Sequence, residues 1–194
     1  MKGEIRPFIP YAAYDWLADF VKPDMRIFEY GSGKSTLWFG QNVGQVVAVE
    51  SVAHCYDTCA KELEELGIHN VEYVLKPPRN GENDVAGYSK LIHDYDDFDL
   101  VFVDGYFRKE CIEESYTKAK QAIFMDNTDS ANSPSYADAY AIMKSWTDGK
   151  LIDFYGRGWN PYINKESHYP AGPEHPIEWG AAVWLRHQEP KGVT

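Results

Sequence analysis

The stretch Arg26-Ile27-Phe28-Glu29-Tyr30-Gly31-Ser32-Gly33-Lys34-Ser35-Thr36 decides the fold of this chain. Its apolar first half predicts a buried strand, and the residues after it predict a tight turn that opens a helix. Gly31 and Gly33 can adopt backbone angles that other residues avoid, and they let a ligand approach the main chain closely. The first amides of the helix lack partners within it and lie at the positive end of its dipole. The turn is therefore predicted to bind a ligand.

Two known nucleotide-binding patterns match this turn only in part. The run from Gly33 to Thr36 fits the second half of a P-loop, but the first glycine of that pattern would fall at Phe28. A dinucleotide-binding turn needs a third glycine where this chain has Thr36. A nucleotide- or NAD-dependent enzyme of the Rossmann type is therefore kept as the alternative interpretation.

The spacing Glu29-x-Gly31-x-Gly33 resembles the first motif of the class I S-adenosylmethionine-dependent methyltransferases. The wider string EYGSGKSTLW is similar to a small bacterial branch of that family. In this family the glycine turn carries the methionine part of the cofactor, and an acid after the second strand holds the adenosine ribose. The resemblance implies cofactor binding by Glu29, Gly31, Ser32, Gly33, Ser35, Thr36, Glu50, Ser51 and Asp104.

Length and charge narrow the classes of protein further. With 194 residues the chain can form a single domain, predicted as an N-terminal helical cap (1–24) and a Rossmann-like core (25–194). The net charge of −11 argues against a nucleic-acid partner, because such affinity comes chiefly from basic side chains that neutralise phosphates. Three cysteines form no disulfide framework, and no apolar run is long enough for a membrane span. A cytoplasmic protein without a membrane partner is expected, with its oligomeric state open.

Strands alternate with helices after the first turn, which predicts a doubly wound, mostly parallel sheet. The further strands are predicted at 45–50, 70–76, 99–104 and 122–126. Glu50 ends the strand at 45–50, close to the ~20-residue spacing from the glycine turn expected for an acid that binds ribose hydroxyls. On the helix after the fourth strand, Ile112, Tyr116 and Ala119 are predicted to mark the inner face.

The C-terminal part of the chain predicts an antiparallel strand pair. Residues 151–155 and 178–186 are strand-like, and four prolines between them exclude the long helix that a parallel crossover requires. A seven-stranded sheet that ends in such a hairpin, with helices on both faces, is the layout of the class I methyltransferases. The resemblance therefore extends over nearly the whole chain.

Acidic side chains follow several of the predicted strands, and ligands of open α/β sheets bind at the carboxyl ends of strands. Methyl transfer requires an acceptor held in line with the sulfonium and a group that removes the acceptor proton. Asp104 and Asp126 are the catalytic candidates. With Asn127 they also form an oxygen-rich set that suits Mg²⁺ or another divalent cation, similar to metal-dependent O-methyltransferases. The alternative is that Asp104 orients cofactor or substrate, whereas Asp126 and Asn127 satisfy loop amides, as turn residues do.

Substrate contacts are predicted at Arg108, Trp159, Tyr162 and His168. Arg108 is interpreted either as an anchor for an anionic substrate or as a surface charge, and His168 as a possible base of near-neutral pKa. The expected function is methyl transfer from S-adenosylmethionine to a small molecule, at a hydroxyl oxygen, with metal assistance as one variant. A cofactor-binding module without catalysis is a further alternative.

Overall fold

The computed structural model describes residues 5–77, 85–129, 134–158 and 178–187. Helices and strands alternate along these ranges as the hydrophobic pattern predicts. In chain order the elements are α1 (Tyr11–Phe20), β1 (Arg26–Tyr30), α2 (Lys34–Asn42), β2 (Gln45–Glu50), α3 (Ala53–Leu66), β3 (Val71–Leu75), α4 (Val85–Ser89), a 3-10 helix (Lys90–Asp94), β4 (Phe98–Val103), α5 (Arg108–Ser115), β5 (Ala119–Asp126), α6 (Pro134–Ser145), β6 (Gly149–Arg157) and β7 (Glu178–Arg186).

The strands form one seven-stranded sheet in the order β3-β2-β1-β4-β5-β7-β6. Strands β1 to β5 are parallel, whereas β7 runs antiparallel to both β5 and β6. The predicted doubly wound, mostly parallel sheet with a C-terminal antiparallel pair is therefore confirmed. The carboxyl ends of β1, β2, β4 and β5 lie at the same edge of the sheet, where the predicted site residues follow them.

Helices cover both faces of the sheet, as predicted. Phe28 and Tyr30 of β1 belong to the core cluster that α4, α5 and α6 cover, whereas Ile27 belongs to the opposite cluster, with α1 and α2. Successive side chains of a strand point to opposite faces. Glu29 therefore lies on the α1 and α2 face, among apolar neighbours. None of the helices in the described ranges has the length and apolar composition needed to cross a bilayer.

The N-terminal helix α1 packs on the sheet through its aromatic side chains. Trp16 stacks on Phe20 at 4.7 Å and on Phe124 of β5 at 6.4 Å between ring centroids. Ala13 and Leu17 are fully buried in the same core cluster. The helix therefore shares a hydrophobic core with β5 and β6, and the division into cap and core stays a prediction.

The boundary between α5 and β5 differs most from its prediction. The sequence pattern places Ala119 on the helix after β4, but α5 ends at Ser115 and the amide of Lys118 donates to the Ser115 carbonyl at 3.0 Å. The turn that this hydrogen bond closes directs the chain into β5, where Ala119 pairs with Phe98. A small apolar residue fits a helix face and a strand equally well, so the pattern alone placed it wrongly.

Candidate cofactor-binding site

Two glycines face each other at the carboxyl ends of β1 and β4. Gly31 has a φ of +83°, and its amide donates to the carbonyl of Val49 at 2.9 Å. A Cβ on Gly31 would lie 2.7 Å from the Cα of Gly105, and a Cβ on Gly105 would collide with the hydroxyl of Tyr88. Both positions therefore require glycine. Gly105 was not predicted as a site residue, although it follows a buried strand just as Gly31 does.

Gly33 is the N-cap residue of α2 and borders open space. A Cβ at this position would meet no atom within 4 Å, and its amide donates to Oγ1 of Thr36 at 3.0 Å. The free space in front of it belongs to a cavity of about 380 Å³ between the turn, α2 and α3. The cavity is lined by Phe8, Ser32, Gly33, Lys34, Ser35, His54, Cys55, Thr58, Cys59, Glu62 and Asp104.

Glu50 lies beside the turn at the end of β2 and is only 6% exposed. Its Oε2 accepts hydrogen bonds from the amide and the hydroxyl of Ser32, at 3.0 and 2.8 Å. Its Oε1 accepts from the amides of Ser51 and Val52, at 2.7 and 2.8 Å. The carboxylate therefore joins the glycine turn to the start of α3. Cofactor binding by Glu50 and Ser51 stays a prediction.

Tyr73 of β3 extends this network, and no motif in the sequence indicates its role. Its hydroxyl makes a short hydrogen bond with the hydroxyl of Ser32, and its ring stacks on Tyr56 at 4.3 Å between centroids. The alternation of β3 indicated only a half-buried strand position for Tyr73. Its contact with Ser32 depends on two strands and a turn that only the folded chain brings together.

Glu29 is fully buried beneath the turn. One of its oxygens accepts a hydrogen bond from the Ser35 hydroxyl, whereas Oε2 has no hydrogen-bond partner. Burial raises the pKa of Glu29 to about 8. Hydrogen bonds from the hydroxyls of Ser35 and Thr36 act to lower this pKa, whereas the charges of Asp104 and Glu50 raise it further. At pH 7 this side chain is therefore mostly a neutral acid in the free protein.

Arg108 ties together the ends of β4 and β5. Its guanidinium donates to the carbonyl of Gly105 at 3.1 Å, to Oδ1 of Asp104 at 2.8 Å and, by a short hydrogen bond, to the carbonyl of Asp126. The ring of Tyr136 lies 4.1 Å from its Cζ. Arg108 is only 3% exposed, so the interpretation as a surface charge is wrong. Its role as a substrate contact stays a prediction.

Asp126 and Asn127 follow β5 in this region. Asp126 is 3% exposed, its Oδ1 has no hydrogen-bond partner, and burial, followed by the charge of Asp104, raises its pKa well above the ordinary value. Asn127 adopts a left-handed φ of 55°. Among the residues that the structure describes, no group of three or more His, Cys, Asp or Glu side chains could hold a metal ion.

Three of the predicted substrate contacts, Trp159, Tyr162 and His168, lie outside the described residues. The described flanks of that segment are both at the carboxyl edge of β5. Ala181 of β7 pairs with Asp126, and Gly158 after β6 forms a bridge with Pro10. The chain thus leaves and re-enters the sheet near the candidate site. The assignment of Trp159, Tyr162 and His168 as substrate contacts stays a prediction.

No protein-family model matches this sequence, and a search of curated proteins found no match. The fold is similar to that of the O-methyltransferase from Bacillus cereus in complex with S-adenosylhomocysteine, with a TM-score of 0.63 and 16% identity, over 84% of this chain and 74% of that one. An S-adenosylmethionine-dependent O-methyltransferase from Thermotoga maritima has a TM-score of 0.61 and 15% identity, over 96% and 69% of the two chains.

A third similar structure is an rRNA methylase from Streptococcus thermophilus, with a TM-score of 0.62 and 14% identity, over 91% of this chain and 96% of that one. This third protein is named as an rRNA methylase, so the expected absence of a nucleic-acid partner for the present chain stays a prediction. What they share with this chain is its architecture, which includes the confirmed sheet and its C-terminal antiparallel pair. The chain therefore has the fold of the class I S-adenosylmethionine-dependent methyltransferases.

Proposed function

We propose that this protein transfers a methyl group from S-adenosylmethionine to a hydroxyl oxygen of a small molecule. The observation that carries the proposal is the open turn at Gly33, where an added Cβ would meet no atom within 4 Å, next to Ser32 and the carboxylate of Glu50. Such a turn lets the amino-acid part of a ligand approach backbone amides, and an acid at the neighbouring strand end suits a ribose diol.

The electrostatic character of the site favours this cofactor over a nucleotide phosphate. Glu50 and Asp104 both lie next to the turn, and each carries a negative charge when ionised. A triphosphate would be repelled by these charges, whereas the sulfonium and ammonium groups of S-adenosylmethionine would be attracted. The turn also lacks the first glycine of a P-loop. A nucleotide- or NAD-dependent enzyme therefore has weaker support.

The two catalytic candidates have different surroundings, which suggests different roles. Asp104 lines the cavity, and about a third of its side chain is exposed (34%). Asp126 is buried, and burial raises its pKa well above the ordinary value, which favours its neutral form. Burial also raises the pKa of Asp104, but the charge and the hydrogen bond of Arg108 act against that shift and favour the carboxylate. A base must be ionised to accept a proton from a hydroxyl group. We therefore assign the role of base to Asp104 and a positioning role to Asp126.

The set Asp104, Asp126 and Asn127 does not fit a divalent cation well. Oδ1 of Asp104 already accepts a hydrogen bond from Arg108, whose positive charge also lies against the Asp126 carbonyl. A metal ion here would stand beside a buried guanidinium and would require Asp126 to ionise. The proposal therefore uses no metal.

Exhaustive chelation tests this part of the proposal, and activity should survive it. If activity is lost on chelation and is restored by Mg²⁺, the metal-assisted variant is favoured.

The remaining parts of the proposal follow from charge and composition. The net charge of −11 favours a small acceptor over RNA, and the three free cysteines (Cys55, Cys59 and Cys111) suit the reducing cytoplasm. A gel-shift titration with structured RNA should detect no complex at physiological salt. Tight binding of RNA would redirect the proposal to a nucleic-acid acceptor.

Calorimetric titration tests the cofactor directly. We expect binding of S-adenosylmethionine and S-adenosylhomocysteine, with no binding of NAD or ATP at comparable concentrations. The opposite pattern would reject the proposal in favour of a Rossmann-type nucleotide enzyme. Transfer of a labelled methyl group to a panel of hydroxyl-bearing metabolites then separates an enzyme from a non-catalytic module, which would bind the cofactor and methylate nothing.

A further inference from the structure

The carboxylate of Glu50 has no free acceptor position in this structure. A carboxylate offers about four lone-pair sites. The amide and hydroxyl of Ser32 occupy Oε2, and the amides of Ser51 and Val52 occupy Oε1. The Ser51 hydroxyl is a further donor, at 3.4 Å from Oε1. A ribose hydroxyl that donates to this carboxylate must therefore displace a donor that belongs to the protein itself.

The Ser32 hydroxyl is the donor whose departure frees an acceptor site most easily. Three of the other donors are backbone amides, fixed by the glycine turn and by the start of α3. The Ser51 hydroxyl can also rotate, but it lies 3.4 Å from Oε1, and two amides still occupy that oxygen without it. The Ser32 hydroxyl instead leaves Oε2 by rotation about a single side-chain bond. No shift of the backbone is required.

Tyr73 holds the serine in its present rotamer. The hydroxyl groups of Tyr73 and Ser32 form a short hydrogen bond, so that Ser32 lies between Tyr73 and Glu50. The ring of Tyr56 stacks on the ring of Tyr73 and supports it. Because Glu50 is only 6% exposed, an unfilled acceptor site on it would be costly in the free protein, and the Ser32 hydroxyl fills that site.

We propose that the Ser32 hydroxyl takes the place of a ribose hydroxyl on Glu50 in the free protein and that the cofactor displaces it on binding. This inference rests on the proposed function, which puts the ribose at Glu50. Its consequence is that Ser32 weakens the binding of both cofactor and product, since each must break an internal hydrogen bond. Ser32 thereby promotes release of S-adenosylhomocysteine after transfer.

The first test is a calorimetric titration of S-adenosylhomocysteine into the wild type and into Ser32→Ala. We expect the variant to bind about three to ten times more tightly, the range set by one net hydrogen bond. Loss of a merely structural hydroxyl would lower thermal stability without tightening binding. Unchanged or weaker binding by a folded Ser32→Ala protein overturns the inference.

Tyr73→Phe supplies a second, independent variant. Without its hydroxyl, Ser32 loses the partner that fixes its rotamer, so binding should tighten by a smaller factor. The matched control is Tyr56→Phe, which keeps the stacked ring and removes a hydroxyl that makes only a 3.4 Å contact with the Tyr73 carbonyl. The Tyr56 variant should bind as the wild type does. If Ser32→Ala does not fold, tighter binding by Tyr73→Phe supports the inference and unchanged binding overturns it.

The double variant and ribose analogues complete the test. Tyr73→Phe should add nothing in the Ser32→Ala background, because both changes remove the same restraint, and additive gains would contradict the proposal. Ser32→Ala should bind S-adenosylhomocysteine more tightly than the wild type does. This difference in affinity should disappear with at least one of two analogues, the 2′-deoxy or the 3′-deoxy compound. A full gain with both analogues overturns the inference. Absence of binding by the wild type, with binding of NAD or ATP, instead rejects the proposed function itself.

Discussion

Gly31 and Gly105 lie so close at the ends of β1 and β4 that a Cβ on Gly31 would be 2.7 Å from the Cα of Gly105. Gly31 also has a left-handed φ of +83°. The two strand ends can therefore approach only where neither turn carries a side chain.

Replacement of Gly31 by alanine should lower the free energy of unfolding by about 3 kcal/mol, since it adds a backbone clash to the strain of a left-handed residue. The matched control is Gly67→Ala, because Gly67 has a φ of +67° with no atom within 4 Å of an added Cβ. That variant should lose only about 1 kcal/mol. Urea unfolding measures both, and equal losses would show that the Gly31–Gly105 contact relaxes without cost.

Replacement of Glu50 by glutamine should weaken the binding of S-adenosylhomocysteine by roughly 1.5–3 kcal/mol, the scale of a hydrogen bond to a charged group. The control is Glu72→Gln on the neighbouring strand, whose carboxylate accepts a hydrogen bond from the exposed Tyr95 hydroxyl, away from the turn. Calorimetry should find wild-type affinity for that control. Unaltered affinity of Glu50→Gln would remove Glu50 from the cofactor site.

The raised pKa of Glu29 predicts a pH-dependent stability. Burial raises this pKa from 4.5 to about 8, so between these values the unfolded chain has released a proton that the folded protein still holds. The contribution of Glu29 to stability is therefore complete below about pH 4.5 and is lost as the pH rises through about 8, by up to roughly 5 kcal/mol.

Glu29→Gln isolates this effect, because glutamine has the same shape and does not titrate. The wild type should lose stability relative to Glu29→Gln as the pH rises from about 5 to about 8. Urea unfolding at several pH values measures this difference in stability. The contributions of most other titrating groups cancel in it, because both proteins contain them. A constant difference would mean that Glu29 is already ionised in the folded protein.

Replacement of Arg108 by methionine should destabilise the protein by about 3 kcal/mol. The change removes a buried cation that Asp104 and the carbonyls of Gly105 and Asp126 share, and breaking a buried pair from one side leaves its partners unsatisfied. Lys61→Met is the control, because Lys61 is exposed and makes only a 3.9 Å surface pair with Glu65. That control should stay within about 0.5 kcal/mol of the wild type.

Local patterns in the sequence were sufficient for much of the architecture. The apolar runs gave five parallel strands, and the four prolines between β6 and β7 excluded a helical crossover, which required the antiparallel pair that the structure contains. Ala119 was placed wrongly because its small side chain carries little periodic information. The turn with Gly31 was also predicted, since glycine after a buried strand has few other uses.

The sequence by itself determined that a glycine turn and a row of acids would meet at the carboxyl edge of one sheet, because parallel strands all end there. Only the tertiary structure decided how those groups are paired. Three contacts join separate segments of the chain: the hydrogen bond from Arg108 to the Asp126 carbonyl, the fit of Gly105 against Gly31, and the contact of Ser32 with both Glu50 and Tyr73. Such contacts depend on distances of a few ångströms between separate strands, which hydrophobic periodicity does not encode.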